Sequence, residues 1–141
     1  KGAPMRPDDI GVLNTLRDVL GFHNARQRVI AENVANANTP GFTPSDISQS
    51  QFERVLAGQA RDAAGLKVTD PRHYGGGQAG IAGQLRAEDT PDSETTANGN
   101  SVVIEEQMVR ANENRMRFES ALSLYQKSLN LIRLASRPPG Q

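Results

Sequence analysis

The stretch SVVIEEQMVRANENRMRFESALSLYQKSLNLIRLA, residues 101–135, determines the fold class of this chain. Side chains that are mostly apolar recur in it at alternating steps of four and three residues, the spacing of a coiled-coil seam. The members of this seam are Ile104, Met108, Ala111, Arg115, Phe118, Leu122, Tyr125, Leu129 and Ile132. The pattern predicts one long C-terminal helix that follows the Asn98-Gly99 turn pair, with Asn100 or Ser101 as its N-terminal cap.

A second apolar stripe runs beside this seam in the last half of the helix. It consists of Ala121, Leu124, Ser128, Leu131 and Ala135. One partner helix cannot cover two sides, and exposed apolar surface costs about 25 cal/mol per Å². We therefore expect self-association, with Leu124 and Leu131 facing neighbouring subunits.

A matching seam lies near the N-terminus, and it predicts a helix over about residues 9–37. Its members are Leu13, Leu16, Leu20, His23, Gln27, Ile30, Val34 and Ala37. Asp8 or Asp9 can cap the start, and Pro40-Gly41 prevents continuation. The predicted fold is mainly α, with the N- and C-terminal helices packed as an antiparallel coiled-coil pair.

The middle of the chain is poor in apolar residues and rich in glycine. Only four of the 30 Leu, Ile, Val and Phe residues fall in 57–100, which contains eight glycines. Ser45 to Leu56 predicts a short helix, whose buried side would hold Ile47, Phe52, Val55 and Leu56. Further along, Leu66, Val68 and His73-Tyr74 could form one or two short strands, and Asp89 to Asn98 resembles a disordered segment. The chain is predicted to divide into an N-terminal helix with its turn (1–42), a flexible central region (43–100) and a C-terminal helix (101–141). The two helices are expected to pack together as one core domain.

Composition and charge exclude several functions. Sixteen Lys and Arg balance sixteen Asp and Glu, so no net field attracts nucleic acid. There is no cysteine for a disulfide or a thiolate metal site, and no apolar run is long enough for a transmembrane span. We expect no nucleic-acid partner.

No constellation of residues predicts an enzyme, a cofactor or a metal site. The two histidines, His23 and His73, are fifty residues apart. Adjacent carboxylates such as Glu105-Glu106 suit the first turn of a helix better than general acid–base catalysis. The Gly75-Gly76-Gly77 run is not followed by the Lys-Ser/Thr of a phosphate-binding loop. Flexibility explains these glycines better than ligand binding.

One segment stands out, the run AENVANANTPGF over residues 31–42. Asn, Thr, Pro and Gly together favour a helix end and a tight turn. Three asparagines in six residues exceed what one cap requires, and Asn33 and Asn36 are neighbours on one helix face. Their amides could brace the turn or form hydrogen bonds between subunits.

This segment resembles the A-x-N-x-A-N-x-x-T-x-G-[FY] signature of the rod and hook axial proteins of the bacterial flagellum. The matching residues are Ala31, Asn33, Ala35, Asn36, Thr39, Gly41 and Phe42, with Pro40 inside the turn. The long apolar C-terminal helix is the second mark of that family. The segments 46–47, 68–73, 98–102 and 114–118 look most like its proximal rod members.

The resemblance implies a structural subunit without enzymatic activity or cofactor. Such a subunit would build the proximal rod, which crosses the periplasm and transmits torque from motor to hook. Its partners would be other copies of itself, other rod proteins, the inner-membrane ring with its rod adaptor, and the flagellar type III export apparatus. It would be exported without a cleaved signal peptide and would reside in the periplasmic rod of the basal body.

Two alternatives remain open at this point. A neighbouring proximal rod protein of the same family shares the N-terminal signature. A helical adaptor or export chaperone would explain the seams and the neutral charge, although not the Asn-Thr-Pro-Gly-Phe turn. The residues expected at helix interfaces are Leu13, Leu16, Leu20, Ile30, Val34, Met108, Phe118, Leu122, Leu124, Tyr125, Leu129, Leu131 and Ile132.

Overall fold

Two long helices and a small central unit make up the described part of the chain. A computed structural model describes residues 11–65, 81–137 and Gly140. The elements in chain order are α1 (Gly11–Ala35), β1 (Ser45–Asp46), α2 (Gln49–Gly65), a 3-10 helix (Ile81–Gln84), β2 (Glu88–Asp89) and α3 (Ile104–Ala135). The strands β1 and β2 pair antiparallel, with Ser45 opposite Asp89 and Asp46 opposite Glu88. The mainly α fold is thus confirmed.

The helices α1 and α3 lie against each other in antiparallel directions. Residues late in α1 contact residues early in α3, since Asn33 is bonded to Gln107 and His23 to Asn114. With 25 and 32 residues, the two helices are about 37 and 48 Å long. The predicted pairing of the terminal helices is therefore confirmed.

The apolar core lies between α1 and the central unit. Phe22, which is fully buried, stacks on Phe52 of α2 with ring centroids 4.7 Å apart. Three further buried residues complete this cluster: Ile47, Ile81 and Leu85. Val55 and Leu56 of α2 pack against it from the side, as predicted from the sequence. The central unit is thereby fixed to the middle of α1.

The first half of the predicted α3 seam is displaced. Ile104 and Met108 are about half exposed, and the Arg115 side chain is 75% exposed, while Gln107 and Asn114 are buried against α1. The buried row runs through Gln107, Asn114 and Ala121 at seven-residue intervals. Polar side chains that form hydrogen bonds across the helix pair face α1 here, where the hydrophobic pattern predicted apolar side chains.

The central segment is more ordered than the sequence suggests. The predicted short helix exists but begins at Gln49 and extends to Gly65. The prediction of disorder for 89–98 is wrong, because Asp92 is buried and the Thr90 N–H donates to the Pro44 carbonyl at 2.7 Å. The possible strands at Leu66, Val68 and His73-Tyr74, the Gly75-Gly76-Gly77 run and the caps at Asp8 or Asp9 lie outside the described residues.

The start of α3 is also held differently from the prediction. Its N-cap residue is Val103, which makes no side-chain capping bond, so Asn100 and Ser101 are not the cap. Asp92 accepts the Val103 N–H at 2.8 Å from outside the helix. Glu105 and Glu106 occupy the first turn, as expected from the helix dipole. None of the helices in the described ranges contains an apolar stretch that would span a lipid bilayer.

Candidate assembly site

The signature segment 31–42 forms the C-terminal end of α1 and the turn that follows it. The Asn36 side chain donates to the Glu32 carbonyl at 2.8 Å and accepts a hydrogen bond from the Thr39 hydroxyl at 3.1 Å. The Thr39 N–H in turn donates to the Asn36 carbonyl at 3.0 Å. Asn and Thr at this spacing therefore end the helix and close the turn through local bonds.

Two glycines let this turn contact a second turn that lies about sixty residues later in the chain. Gly41 and Gly99 have φ angles of +72° and +82°, the left-handed region that favours glycine. A Cβ atom on Gly99 would come within 3.4 Å of the Gly41 Cα. The Gly41 N–H donates to the Asn98 carbonyl at 3.0 Å, and the Ser101 N–H donates to the Phe42 carbonyl at 2.9 Å.

Asn100 joins the two turns from inside. Its buried amide nitrogen donates to the carbonyls of Asn36 at 2.9 Å and Thr39 at 2.7 Å. Its amide oxygen accepts the Val102 N–H at 2.9 Å. One side chain thus satisfies carbonyl groups at the end of α1 and a backbone donor just before α3.

Asn33 connects three elements. Its amide forms a two-way pair with the backbone of Ser45, donating to the carbonyl at 2.7 Å and accepting the N–H at 2.9 Å. The same nitrogen donates to the Gln107 Oε1 at 3.0 Å. Asn33 is buried, so these bonds hold α1, β1 and α3 together in a site shielded from water.

Asp92 completes this network from the segment before α3. Its Oδ2 accepts from the Gln107 side chain at 2.9 Å and from the Val103 N–H, while its Oδ1 accepts from Arg110 at 2.8 Å. The Asp92 side chain is fully buried, so the Arg110 guanidinium balances its charge in a poorly solvated place. We call Asn33, Asn36, Asp92, Asn100 and Gln107 the junction.

A separate polar contact joins the middles of α1 and α3. The Asn114 amide nitrogen donates to the His23 carbonyl at 2.8 Å and to the Gln27 side chain at 3.0 Å. The Asn114 amide oxygen lies 2.7 Å from the His23 Nδ1. Because an amide oxygen can only accept a hydrogen bond, the ring proton of His23 lies on Nδ1. Burial lowers the pKa of His23, and the nearby charges of Arg117 and Arg26 lower it further, although the Asn114 bond acts in the opposite direction.

The junction and the His23–Asn114 contact leave no buried polar side chain of the described residues without a hydrogen-bond partner. Every buried side-chain nitrogen or oxygen in the described residues has a hydrogen-bond partner. Arg26 forms a bidentate ion pair with Asp46, in which both N–O distances are 2.9 Å. This pair connects α1 to β1. No cluster of three or more metal-ligating side chains occurs among the described residues. The arrangement is suited to holding helices in one register.

The structure divides the sequence-predicted site residues into two groups. Asn33 is buried, and Asn36, Val34 and Phe42 are half-buried, whereas Ala31, Ala35, Thr39, Pro40 and Gly41 are exposed. Leu13 and Ile30 are buried in α1, with Leu16 and Leu20 half-buried beside them. In α3, Phe118, Leu122, Tyr125, Leu129 and Ile132 are half-buried. Met108, Leu124 and Leu131 are each at least half exposed.

Sequence reasoning missed the polar partners on the second half of the chain. Asn100, Gln107 and Asn114 recur at seven-residue intervals, a heptad spacing that begins just before α3 and continues into it. That row of amides was the available signal, because it faces the asparagines and the histidine of α1. Asp92 carries no comparable signal in its local sequence.

Comparison with known proteins identifies the same segment. A family model described as flagella basal body rod protein matches residues 23–43, which include His23, Asn33 and the turn. The chain is 32% identical over 104 residues to flagellar basal body rod protein FlgB of Agrobacterium fabrum, covering 72% of this chain and 74% of the relative. It is 30% identical to the FlgB of Buchnera aphidicola, covering 74% of each chain. The FlgB of Borreliella burgdorferi is 28% identical over 82% of this chain and 87% of its own length.

These relatives are structural rod proteins, and none of these matches indicates a catalytic family. The family model covers the end of α1 and the turn that the junction holds. The chain belongs to the FlgB family of flagellar basal body rod proteins.

Proposed function

We propose that this rod component builds the proximal rod, crosses the periplasm there and transmits torque from the motor towards the hook. The observation that supports assembly is the exposed apolar face of α3, which lies away from α1. Val109, Met116, Leu124 and Leu131 are between 54% and 68% exposed, while the opposite face of α3 packs on α1. Exposed apolar side chains at helical spacing favour burial against neighbouring subunits.

The transmission of torque is supported by the way the helix pair is fixed. Packed side chains deform little, and a satisfied polar network has few alternative arrangements. The junction and the His23–Asn114 contact prevent α1 from sliding along α3, because each shift would leave buried amides without partners. A subunit held in one register passes a force from one end to the other.

The exposed part of the signature suits contacts between subunits. Ala31, Ala35 and Pro40 present small or rigid surfaces that the fold of one chain does not bury. We infer that neighbouring rod proteins, the inner-membrane ring and the rod adaptor are the partners, and that the flagellar export apparatus delivers the chain without a cleaved signal peptide. An enzymatic role is not part of this proposal.

The test is incorporation into basal bodies in a strain that lacks its own gene for this rod protein. We expect the wild-type chain to restore motility and to be found at the inner-membrane end of the isolated rod by gold labelling. Leu124→Asp and Leu131→Asp should yield folded chains that fail to incorporate, whereas Gln126→Asp, on the same helix but off the apolar face, should incorporate. Normal motility with both leucine variants would refute the neighbour contact, and a wild-type chain that stays a discrete monomer or dimer would favour an adaptor.

A further inference from the structure

The outer face of α3 carries its charges segregated by sign. Its apolar members are Val109, Met116, Leu124, Leu131 and Leu134, which with the charged residues of the same face lie within an arc of about 100° at 3.6 residues per turn. We call this set the outer stripe. Two acidic residues, Glu105 and Glu113, lie at its N-terminal end, and Lys127 lies between its last leucines.

These three charges form no ion pair within the described residues. The acids Glu106 and Glu119 do have partners, Arg110 and Arg115. From residue 120 to residue 137 there is no acidic side chain, and the exposed Lys127 is the base that lies within the arc of the outer stripe. One α3 is therefore complementary to another, acidic at one end of the stripe and basic at the other.

Resting on the proposed role in the rod, we propose that the outer stripe binds the outer stripe of a second copy, parallel and displaced along the helix axis. A displacement of 18 residues, about 27 Å, sets Lys127 of one copy between Glu105 and Glu113 of the next. The same displacement brings Leu134 opposite Met116 and Leu131 opposite the stem of Glu113. In this register one apolar pair, Leu134 with Met116, accompanies the charged contact.

An antiparallel pair of the same stripes would also bring opposite charges together. Such a pair is two-fold symmetric and closes on itself, so it stops at a dimer. The displaced parallel contact is head-to-tail, leaves a free acidic end and a free basic end, and propagates. Growth into a rod requires propagation, which favours the parallel contact.

Disulfide cross-linking distinguishes the two arrangements, because the chain contains no cysteine. The displaced contact places Met116 and Leu134 of different copies within the 4.4–6.8 Å between Cα atoms that a disulfide requires. In the purified full chain, M116C/L134C should form a ladder of cross-linked multimers on oxidation. An equal mixture of the two single variants should give a heterodimer and no ladder.

The opposite outcomes are equally specific. In the antiparallel pair that sets Lys127 between Glu105 and Glu113, Met116 lies opposite Ser120, so a mixture of M116C and S120C would cross-link while M116C/L134C would give no ladder, and this result overturns the proposal. Absence of any cross-link while circular dichroism remains that of the wild-type chain also overturns it. If the wild-type chain nevertheless restores motility, the role in the rod stands and only the displaced contact is wrong.

Charge reversal tests the electrostatic half of the contact. Adding Lys127→Glu to the cysteine pair should reduce the ladder severalfold, and raised salt should weaken the wild-type ladder. The variants K127E/L134C and E105K/E113K/M116C should each fail to cross-link to a partner whose charges are not reversed. Mixed with each other, they should form the heterodimer. The control Glu94→Lys changes an exposed acid off α3 and should leave the ladder unchanged. A ladder insensitive to Lys127→Glu would contradict the assigned register.

Discussion

Asn33 of α1 donates a hydrogen bond to Gln107 of α3 across 74 positions of sequence, at a distance of 3.0 Å and with both side chains buried. The same asparagine nitrogen bonds the Ser45 backbone, so one amide sets the position of three elements. Buried polar side chains can specify the register of paired helices where apolar packing alone would allow sliding. Asn33, which the sequence predicts as part of a signature, therefore forms its described bonds inside the subunit.

Replacing Asn33 with alanine should strongly destabilise the chain. The change leaves the buried Gln107 oxygen without a partner, at about 1–3 kcal/mol, and also removes the bond to the part-buried Ser45 N–H. Asn38, an exposed asparagine of the same segment, provides the matched control and should change stability by less than about 0.5 kcal/mol. Urea unfolding followed by circular dichroism measures both, and equal midpoints would show that the junction contributes nothing.

The two left-handed glycines should tolerate alanine poorly. Gly41→Ala should cost about 1–2 kcal/mol from its φ of +72° alone. Gly99→Ala should cost at least as much, since its φ is +82° and its Cβ would lie 3.4 Å from the Gly41 Cα, at the short limit of van der Waals contact. Gly58→Ala, inside α2 with open space around it, should instead stabilise by about 0.5–1 kcal/mol. A thermal unfolding series tests this order, and a Gly58 variant less stable than the Gly99 variant would contradict it.

Mild acid should weaken the α1–α3 pair through His23. Its pKa is lowered in the folded chain by burial, so the unfolded chain, with a value near 6.5, binds the proton more readily. The stability that depends on neutral His23 is therefore complete above pH 6.5 and is lost as the pH falls below it. Arg26 of α1 and Arg117 of α3 oppose the extra positive charge.

Unfolding free energies at pH 7.5 and 5.5 measure this effect. The wild-type chain should lose stability between them, and His23→Gln, which keeps an amide donor beside Asn114, should lose less. Burial also raises the pKa of Asp18, but both chains contain that residue. The difference in pH dependence between the wild-type chain and His23→Gln therefore reports on His23. Identical pH dependence in the two chains would exclude His23 as the titrating group.

The sequence predicts the helices well because their evidence is periodic and long. Alternating steps of three and four revealed both α1 and α3, and the density of Asn, Thr, Pro and Gly marked the end of α1. The failures concern polar residues. A hydrophobic pattern places Met108 inside and Gln107 outside, while the structure does the reverse because Gln107 has buried partners on α1 and at Asp92.

The segment 89–98 illustrates the same limit. It contains no large apolar residue, so composition indicates disorder, yet Asp92 is held by Val103, Gln107 and Arg110. Its order depends on three donors that lie 11 to 18 positions away in the chain. No local pattern reports such a contact. The junction residues could be proposed only in part, from Asn33 and Asn36, and their partners became evident with the fold.

The most direct test of the junction's role in the rod is the amount of Asn33→Ala and Asn38→Ala chain in isolated basal bodies of a strain lacking its own copy. Immunoblotting against a motor-ring protein gives the ratio. We predict that Asn38→Ala incorporates like the wild-type chain and that Asn33→Ala is depleted at least severalfold at equal cellular level. Equal incorporation of both variants would contradict the claim that the register set by Asn33 and Gln107 is required to build the rod.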